Sequence, residues 1–411
     1  MEHIETVIVG GGQAGLATSY YLTQHEREHV VLEGAAQAAN AWRHGRWDSF
    51  TLVTPNWMLK MPGGGYNGAD PNGFLPREEI VAYFEQYAER FKLPVQYNAR
   101  VVSVESMNGK GYRVQTSERS FQADNVVIAT GFEQLPKIPP FAANLSPDIT
   151  QLHSSAYRNP ESLPAGAVLI VGSAQSGTQI AEELYKSGRQ VFLSTGSAGR
   201  APRRYRGRDT VEWMYLVGFF DMTPDKLPVP EEHFVAPHLS GTDGGHTLNL
   251  HQFARDGVTL LGHLGGAAGY QISIAPDLYE NLAKADGFEL QGKKMIDGYI
   301  QANGLDVPEE EPPQLRHGYE QPILEELDLK AAGIHTVIWA TGYTFDFSLI
   351  KLPIGDERGF PIQRRGVTNY PGLYFVGMPW MPSLKSGILA GVGESAEYIA
   401  SNIVSGETPI N

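Results

Sequence analysis

Two short stretches constrain this chain more than anything else in it: "TVIVGGGQAG" at residues 6–15 and "AVLIVGSAQSGT" at 167–178. Each carries an apolar, β-favouring strand straight into a glycine-rich turn and then into a helix-compatible segment. A strand that turns at once into a helix builds parallel sheets with helices on both faces. Two such units predict an α/β chain with two Rossmann-like dinucleotide-binding domains. In the first turn Gly10 permits the tight bend, Gly12 lets bare backbone approach a pyrophosphate, and Gly15 lets the helix pack close on the strand. Gln13 and Ala14 open the helix, whose free amides face an anion. A glycine-rich turn that holds no ligand is the alternative.

The segment after each helix separates the two units. The first leads to a second strand, "HVVLEG", ending at Glu33, 18 residues beyond Gly15. A carboxylate there accepts hydrogen bonds from an unphosphorylated adenosine ribose. The second turn reads Gly172, Ser173, Ala174, Gln175, Ser176 and Gly177, with an extra methyl at the middle position. A hydrolase nucleophile elbow is excluded, because glycine does not stand two residues either side of Ser176. The next strand, "QVFLSTG", carries no acid at its end, Ser194, and the chain runs on into "RAPRRYRGR" at 200–208. Guanidinium groups grip a 2'-phosphate that a carboxylate would repel. Arg203 and Arg204, with Ser194, are the candidates for that contact; a solvated basic loop or a local docking patch is the alternative. FAD in the first unit and NADPH in the second is the economical reading, and the two together imply hydride transfer.

Other chemistry is excluded by what the chain lacks. It has no cysteine, which removes disulfides, thiolate metal sites and redox dithiol pairs. Its formal net charge of -14 argues against nucleic acid and anionic membranes as partners. Residues 1–5 fit no secretory signal and no run is long enough to span a bilayer, so a cytoplasmic location is expected. Two segments share a signature, "NVVIATGF" (125–132) and "TVIWATGY" (336–343). They are read as crossings between domains, the first entering the proline-rich "LPKIPPF", the second preceded by "VPEEEPPQ" at 307–314. The FAD domain is expected at 1–150 and 325–411, with the NADPH domain, 151–324, inserted between them. Residues 207–256 exceed a minimal nucleotide fold. Their run "VEWMYLVGFFDM" is a core helix, a substrate-channel wall or a subunit interface. His233, His238, His246 and His251 are not spaced to share a helical face, and no metal site is expected.

These motifs together resemble the class B flavoprotein monooxygenases, the single-chain FAD and NADPH enzymes that include flavin-containing monooxygenases and Baeyer–Villiger enzymes. The resemblance covers nearly the whole chain and adds "HSSAYRNP" at 153–160, "PRRYRGRD" at 202–209 and "GLYFVGMPWMPSLKSGILAGVGE" at 372–394. It is nearest to a bacterial branch once labelled as associated with ion transport. Two departures stand out. His153, Ser154 and Tyr157 match the later half of the family fingerprint, but Pro147 and Ile149 replace its front half; and the expected Gly-Gly-x-Trp reads Ala39, Asn40, Ala41, Trp42.

The resemblance implies cofactor contacts from Trp42, Val102, Ala129, Thr130, Gly131, Gly377, Lys385, Ser386, Gly387 and Leu389. It places Asn56 at the active site, although a Pro-Asn turn explains that residue equally well. A helix starting after Ser386 and Gly387 is expected to aim its amides at the flavin. The implied reaction is formation of a flavin hydroperoxide that passes one oxygen atom to a small organic substrate, at nitrogen or sulfur, with molecular oxygen as co-substrate. Baeyer–Villiger oxygenation, an NADPH-dependent flavin reductase serving a quinone or protein acceptor, and a non-catalytic nucleotide-holding protein are the rivals. A homodimer stays open.

Overall fold

The computed structural model describes residues 1–107, 111–226, 236–311 and 314–406. The chain begins β1 (Glu2–Val9), α1 (Gln13–Gln24), β2 (His29–Leu32), α2 (Asn40–His44) and α3 (Arg77–Arg90). It continues through β3 (Val95–Gln96), β4 (Val101–Ser106), β5 (Tyr112–Thr116) and β6 (Ser120–Ile128). Across the first sheet the order is Gln363–Arg364, Val367–Thr368, Leu373–Phe375, β6, β1, β2, β3, with β4 and β5 continuing from β6. β1 runs parallel to both β2 and β6. Its inner residues, Thr6 to Val9, are buried on both faces, which is why the strand reads as a continuous apolar run rather than an alternation.

The second body repeats that plan. After β7 (Leu135–Pro136) come β8 (Thr150–His153), β9 (Ala167–Val171), α4 (Gln175–Lys186) and β10 (Val191–Ser194). The sheet order is Thr259–Leu261, β10, β9, Ile334–Trp339, β8, every pair parallel. Between β10 and this sheet's later strands lie α5 (Thr210–Leu216), α6 (Leu250–Arg255) and α7 (Leu278–Asn303); α8 (Val392–Ser405) closes the described chain in the first body. The expected return to the first domain at about residue 325 is too early. Glu326–Asp328 and Ile334–Trp339 both pair with strands of the second body, so the crossing is at Ala340–Thr344. There Tyr343–Thr344 pairs antiparallel with β7, so the two crossings lie side by side as one ribbon.

The two turns are near copies. Gly10 has φ +108° and Gly172 φ +106°, values that L side chains rarely adopt. A Cβ added at Gly15 would lie 1.9 Å from the Gly10 carbonyl oxygen; at Gly177 it would lie 1.8 Å from that of Gly172. A Cβ at Gly10 would meet the carbonyl oxygen of Ala129 at 2.6 Å, and at Gly172 that of Ala340 at 2.5 Å. The repeated Ala-Thr-Gly signature is thereby explained. Each copy ends the strand that pairs parallel with the strand leading into the turn, and backs that glycine turn. Proximity of this kind makes Gly15→Ala and Gly177→Ala each destabilising, by about 3 kcal/mol as overpacking against backbone requires. Calorimetry of the two variants beside Gly12→Ala checks this. A Cβ at Gly12 meets nothing within 4 Å, so that variant is expected to melt with the parent.

Candidate functional site

At the first turn, the strand-end acid and the helix start converge. The Glu33 carboxylate accepts from the Gly11 amide at 2.7 Å and from the Ala35 amide at 2.8 Å, so it is held at the mouth of the turn. Gly12 precedes α1 with extended backbone, and the first-turn amides of α1 have no intrahelical partner. The open space above Gly12 is a cradle that bare backbone lines and that a negatively charged group fits. Gln13 donates to the Gly387 carbonyl at 2.6 Å, and a Cβ on Gly377 would lie 2.4 Å from that of Ala14. Residues 377–389 therefore roof the helix start. Thr130 and Gly131 are held beside the turn by the Gln134 amide, which donates to the Thr130 hydroxyl at 2.8 Å and the Gly131 carbonyl at 2.7 Å. Trp42 lies half-buried on α2 under the Arg46 guanidinium, and Val102 is exposed on β4.

Within that roof the expected helix start is displaced. Leu384–Gly387 is a 3-10 turn and α8 begins only at Val392. The Ser386 hydroxyl is turned inward, accepting from the Ser383 amide, and Lys385 is paired at 2.7 Å with both Asp221 and Glu394. Leu389 is buried and its carbonyl accepts from the Lys60 amide at 3.3 Å. Asn56 is 3% exposed. Its amide donates to the Asp70 carbonyl at 2.9 Å and accepts from the Leu75 amide at 2.7 Å, so it ties down the loop 70–75 and keeps one N–H uncommitted. Met58, Met214, Phe220 and Leu239, with Trp57 and Ile388 against them, form an apolar wall where residues 53–58, the α5 segment and the roof meet.

The second turn has the same frame with different chemistry. Ala174 precedes α4 with φ -77° and ψ -166°, against -80° and -170° at Gly12. That conformation suits any residue, so alanine costs the turn nothing and only narrows the space above it. Gln175 holds the backbone of Leu239 by both amide atoms, as Gln13 holds Gly387. Ser173 accepts from the Gly196 amide at 3.0 Å, and Ser176 is half-buried in the first turn of α4.

The arginine loop corrects the expectation placed on it. Arg203 is 1% exposed; its guanidinium grips Asp209 at 2.7 and 2.8 Å and donates to the Val53 carbonyl at 2.7 Å. Burial pulls its pKa below the usual guanidinium value even with Asp209 opposing. Arg200 pairs with Asp286 and Glu289, Arg206 with Asp297, and Arg208 with Glu212. Arg204 is exposed and donates to the carbonyls of Gly245 and Gly244 at 2.9 and 2.8 Å. The Ser194 hydroxyl is 2% exposed and donates inward to the Gly262 carbonyl at 2.8 Å. Arg203 and Ser194 are thus structural, and the guanidinium cluster is tied to this chain's own carboxylates and carbonyls.

Sequence reasoning missed the strap formed by residues 238–248. His238 is fully buried, and one ring nitrogen pairs with the Leu248 carbonyl at 3.1 Å. His246 meets Glu182 at 2.6 Å, and His251 meets Asp286 at 3.3 Å. His233 lies outside the described residues. The apolar run at 211–222 is α-helical only over Thr210–Leu216, with a 3-10 turn at Phe219–Asp221; Val211, Trp213, Met214 and Phe220 are buried while Tyr215 is exposed. Among the described residues no helix is long and apolar enough to cross a membrane.

Residues 7–212 match the family model described as pyridine nucleotide-disulphide oxidoreductase. The chain is 33% identical over 408 residues to an oxidoreductase CzcO-like protein of Geobacillus kaustophilus, covering 98% of this chain and 100% of that protein. It is 27% identical to the indole-3-pyruvate monooxygenase YUCCA4 of Oryza sativa subsp. japonica, over 97% of this chain and 87% of that one. Its fold is like that of a flavin-containing monooxygenase from Stenotrophomonas maltophilia, with a TM-score of 0.68, 20% identity, and 98% and 99% of the two chains covered.

Stability outcomes are expected of both the arginine loop and the strap. Arg203→Ala leaves the half-buried Asp209 carboxylate without its partner and is expected to cost about 3 kcal/mol, whereas Arg204→Ala is expected to stay within about 0.5 kcal/mol; urea melts separate the two. Burial pushes the His238 imidazole from 6.5 to about 4, against its hydrogen bond to Leu248 and with Arg200 adding repulsion. The unfolded chain thus takes up this proton first as pH falls. The contribution is whole above about pH 6.5 and is lost towards about pH 4, at up to about 1.4 kcal/mol per pH unit. A His238→Gln variant is expected to flatten that slope in melts between about pH 5 and about pH 7.5.

Proposed function

From the premise that the chain belongs to the pyridine nucleotide-disulphide oxidoreductase family, we propose that it is an FAD- and NADPH-dependent monooxygenase. It inserts one oxygen atom into a small organic substrate, at nitrogen or sulfur. The observation that carries the reading is the pair of matched turns, each with a helix start under a roof drawn from elsewhere in the chain. One site offers an acid to a ribose and the other does not. The absence of cysteine removes the protein dithiol that a disulphide reductase of this family plan would use.

The first turn fits FAD: the amides of α1 receive the pyrophosphate, Glu33 accepts from the ribose, and Gly12 lets the phosphates approach. Bound there, FAD supplies the reduction of dioxygen with a hydride taken from NADPH, one oxygen atom going to the substrate and the other to water. The second turn would hold the nicotinamide dinucleotide by the amides of α4, which Ala174 precedes. Residues 377–389 and the apolar wall of Met58, Met214, Phe220 and Leu239 exclude water between the two sites. Asn56 acts as a positioning residue: it anchors the loop 70–75, whose Pro71 carbonyl accepts from the amide of Trp57 beside the wall. The missing front half of the His153 fingerprint favours heteroatom oxygenation over attack on ketones.

The test is isotope-labelled dioxygen with a panel of amines and sulfides. Label in one product oxygen, with NADPH consumed in equal amount, supports the reading. Product formed in the absence of dioxygen, or electrons passed to a quinone without label incorporation, sinks it. Glu33→Ala removes the acceptor for both the ribose and the Gly11 amide. It is expected to weaken FAD retention by about tenfold or more, one charged hydrogen bond being worth about 1.5 to 3 kcal/mol; flavin released on dialysis measures it.

A further inference from the structure

We infer that the second nucleotide site does not select for a 2'-phosphate and takes NADH as well as NADPH. The inference rests on the function proposed above and narrows its cofactor. The two turns align by their main-chain bonds. The Gly10 amide donates to the Leu32 carbonyl at 2.9 Å and the Gly172 amide to the Ser194 carbonyl at 3.0 Å. Thr195 therefore stands where Glu33 stands, and Gly196 where Gly34 stands. A nucleotide's 2'-substituent at the second site faces Thr195, Gly196 and Ser197.

Among the described residues, none in that place is built to hold a dianion. The Thr195 hydroxyl is 1% exposed and donates back to the Leu261 carbonyl at 2.8 Å. Ser197 is exposed and offers one neutral hydroxyl. On the adjacent strand end, His263 lies beside Gly196, with its Nε2 3.6 Å from where a Cβ would stand. Its Nδ1, however, is 2.6 Å from the Asp277 carboxylate, which also accepts from the His263 amide at 2.9 Å. Other ionisable groups near this dyad are on α7, where Glu280 and Lys284 pair with each other at 2.8 Å. The His263 ring is thus already paired with a carboxylate, and the pair adds no cation for an anion to meet. The five arginines of residues 200–208 are committed elsewhere: four to carboxylates and Arg204 to two carbonyls. A ribose hydroxyl needs only one hydrogen-bond partner, which Ser197 or the His263 Nε2 supplies. A 2'-phosphate gains no bidentate guanidinium there.

The experiment is calorimetric titration of NADP+ and NAD+ into the FAD-loaded protein, beside steady-state kinetics with NADPH and NADH. The two dissociation constants are expected to agree within about threefold. Arg204→Ala is expected to leave the NADP+ constant unchanged. Gly196→Arg is expected to tighten NADP+ by about tenfold and leave NAD+ alone, since a bidentate guanidinium–phosphate pair is worth at least that much. Its backbone has room: the only neighbour of an added Cβ is at ordinary contact distance, and its φ lies outside the left-handed region. NADP+ favoured by about thirtyfold or more in the parent overturns the inference, as does a matching loss in Arg204→Ala, and either leaves the monooxygenase reading standing. If neither dinucleotide binds, the inference and the reading beneath it both fall.

Discussion

The carbonyl oxygen of Gly10, and its counterpart on Gly172, sit so near the following helix that the residue opposite each has no room for a Cβ. The geometry of both strand–turn–helix units rests on those two contacts. They bring the helix axis down onto the strand end, and that sets where the first-turn amides point. They also fix where the next strand returns, and so where the residue after it stands: an acid at Glu33, a buried hydroxyl at Thr195. The backing strand completes the arrangement. Ala129 and Ala340 close on the far side of each turn, so the three elements are fixed relative to one another without any side chain larger than a methyl.

Each turn is then covered by chain from far away, and the covers are attached in the same manner. Gln13 reaches Gly387 and Gln175 reaches Leu239. A helix whose first residue is a glutamine can hold a neighbouring backbone by its side chain while leaving its own amides for a ligand. The site between the two covers is apolar on its walls, while its charged groups are paired: Lys385 with Asp221 and Glu394, Arg203 with Asp209. Each cation among these groups is met by a carboxylate of the chain itself.

The arginine loop shows why charge density in a sequence is a weak guide to a ligand. Five guanidinium groups in nine residues look like an anion site when the rest of the chain is out of view. Their partners come from α7 and from the loop's own continuation: Asp286, Glu289 and Asp297 from the helix, Asp209 and Glu212 nearby in sequence. In a chain with 46 acidic residues, three carboxylates of α7 meet Arg200 and Arg206, while Asp209 and Glu212 meet Arg203 and Arg208. Asp209 and Glu212 were within a few positions of their arginines, but the three helix carboxylates lie about 90 residues away, beyond any local pattern.

The sequence by itself determined the two strand–turn–helix units, the acid after the first and its lack after the second, and the repeated Ala-Thr-Gly at the crossings. Those features depend on near neighbours: a turn needs its glycine where φ is positive, and a strand buried on both faces needs an unbroken apolar run. Only the tertiary structure decided that the strand Ile334–Trp339 belongs to the second sheet, that α8 begins at Val392, that Asn56 clamps a loop, and that Arg203 is buried against Asp209. Each of these is settled by a partner brought near in space, and a hydrogen bond or ion pair is chosen by distance and burial rather than by order along the chain.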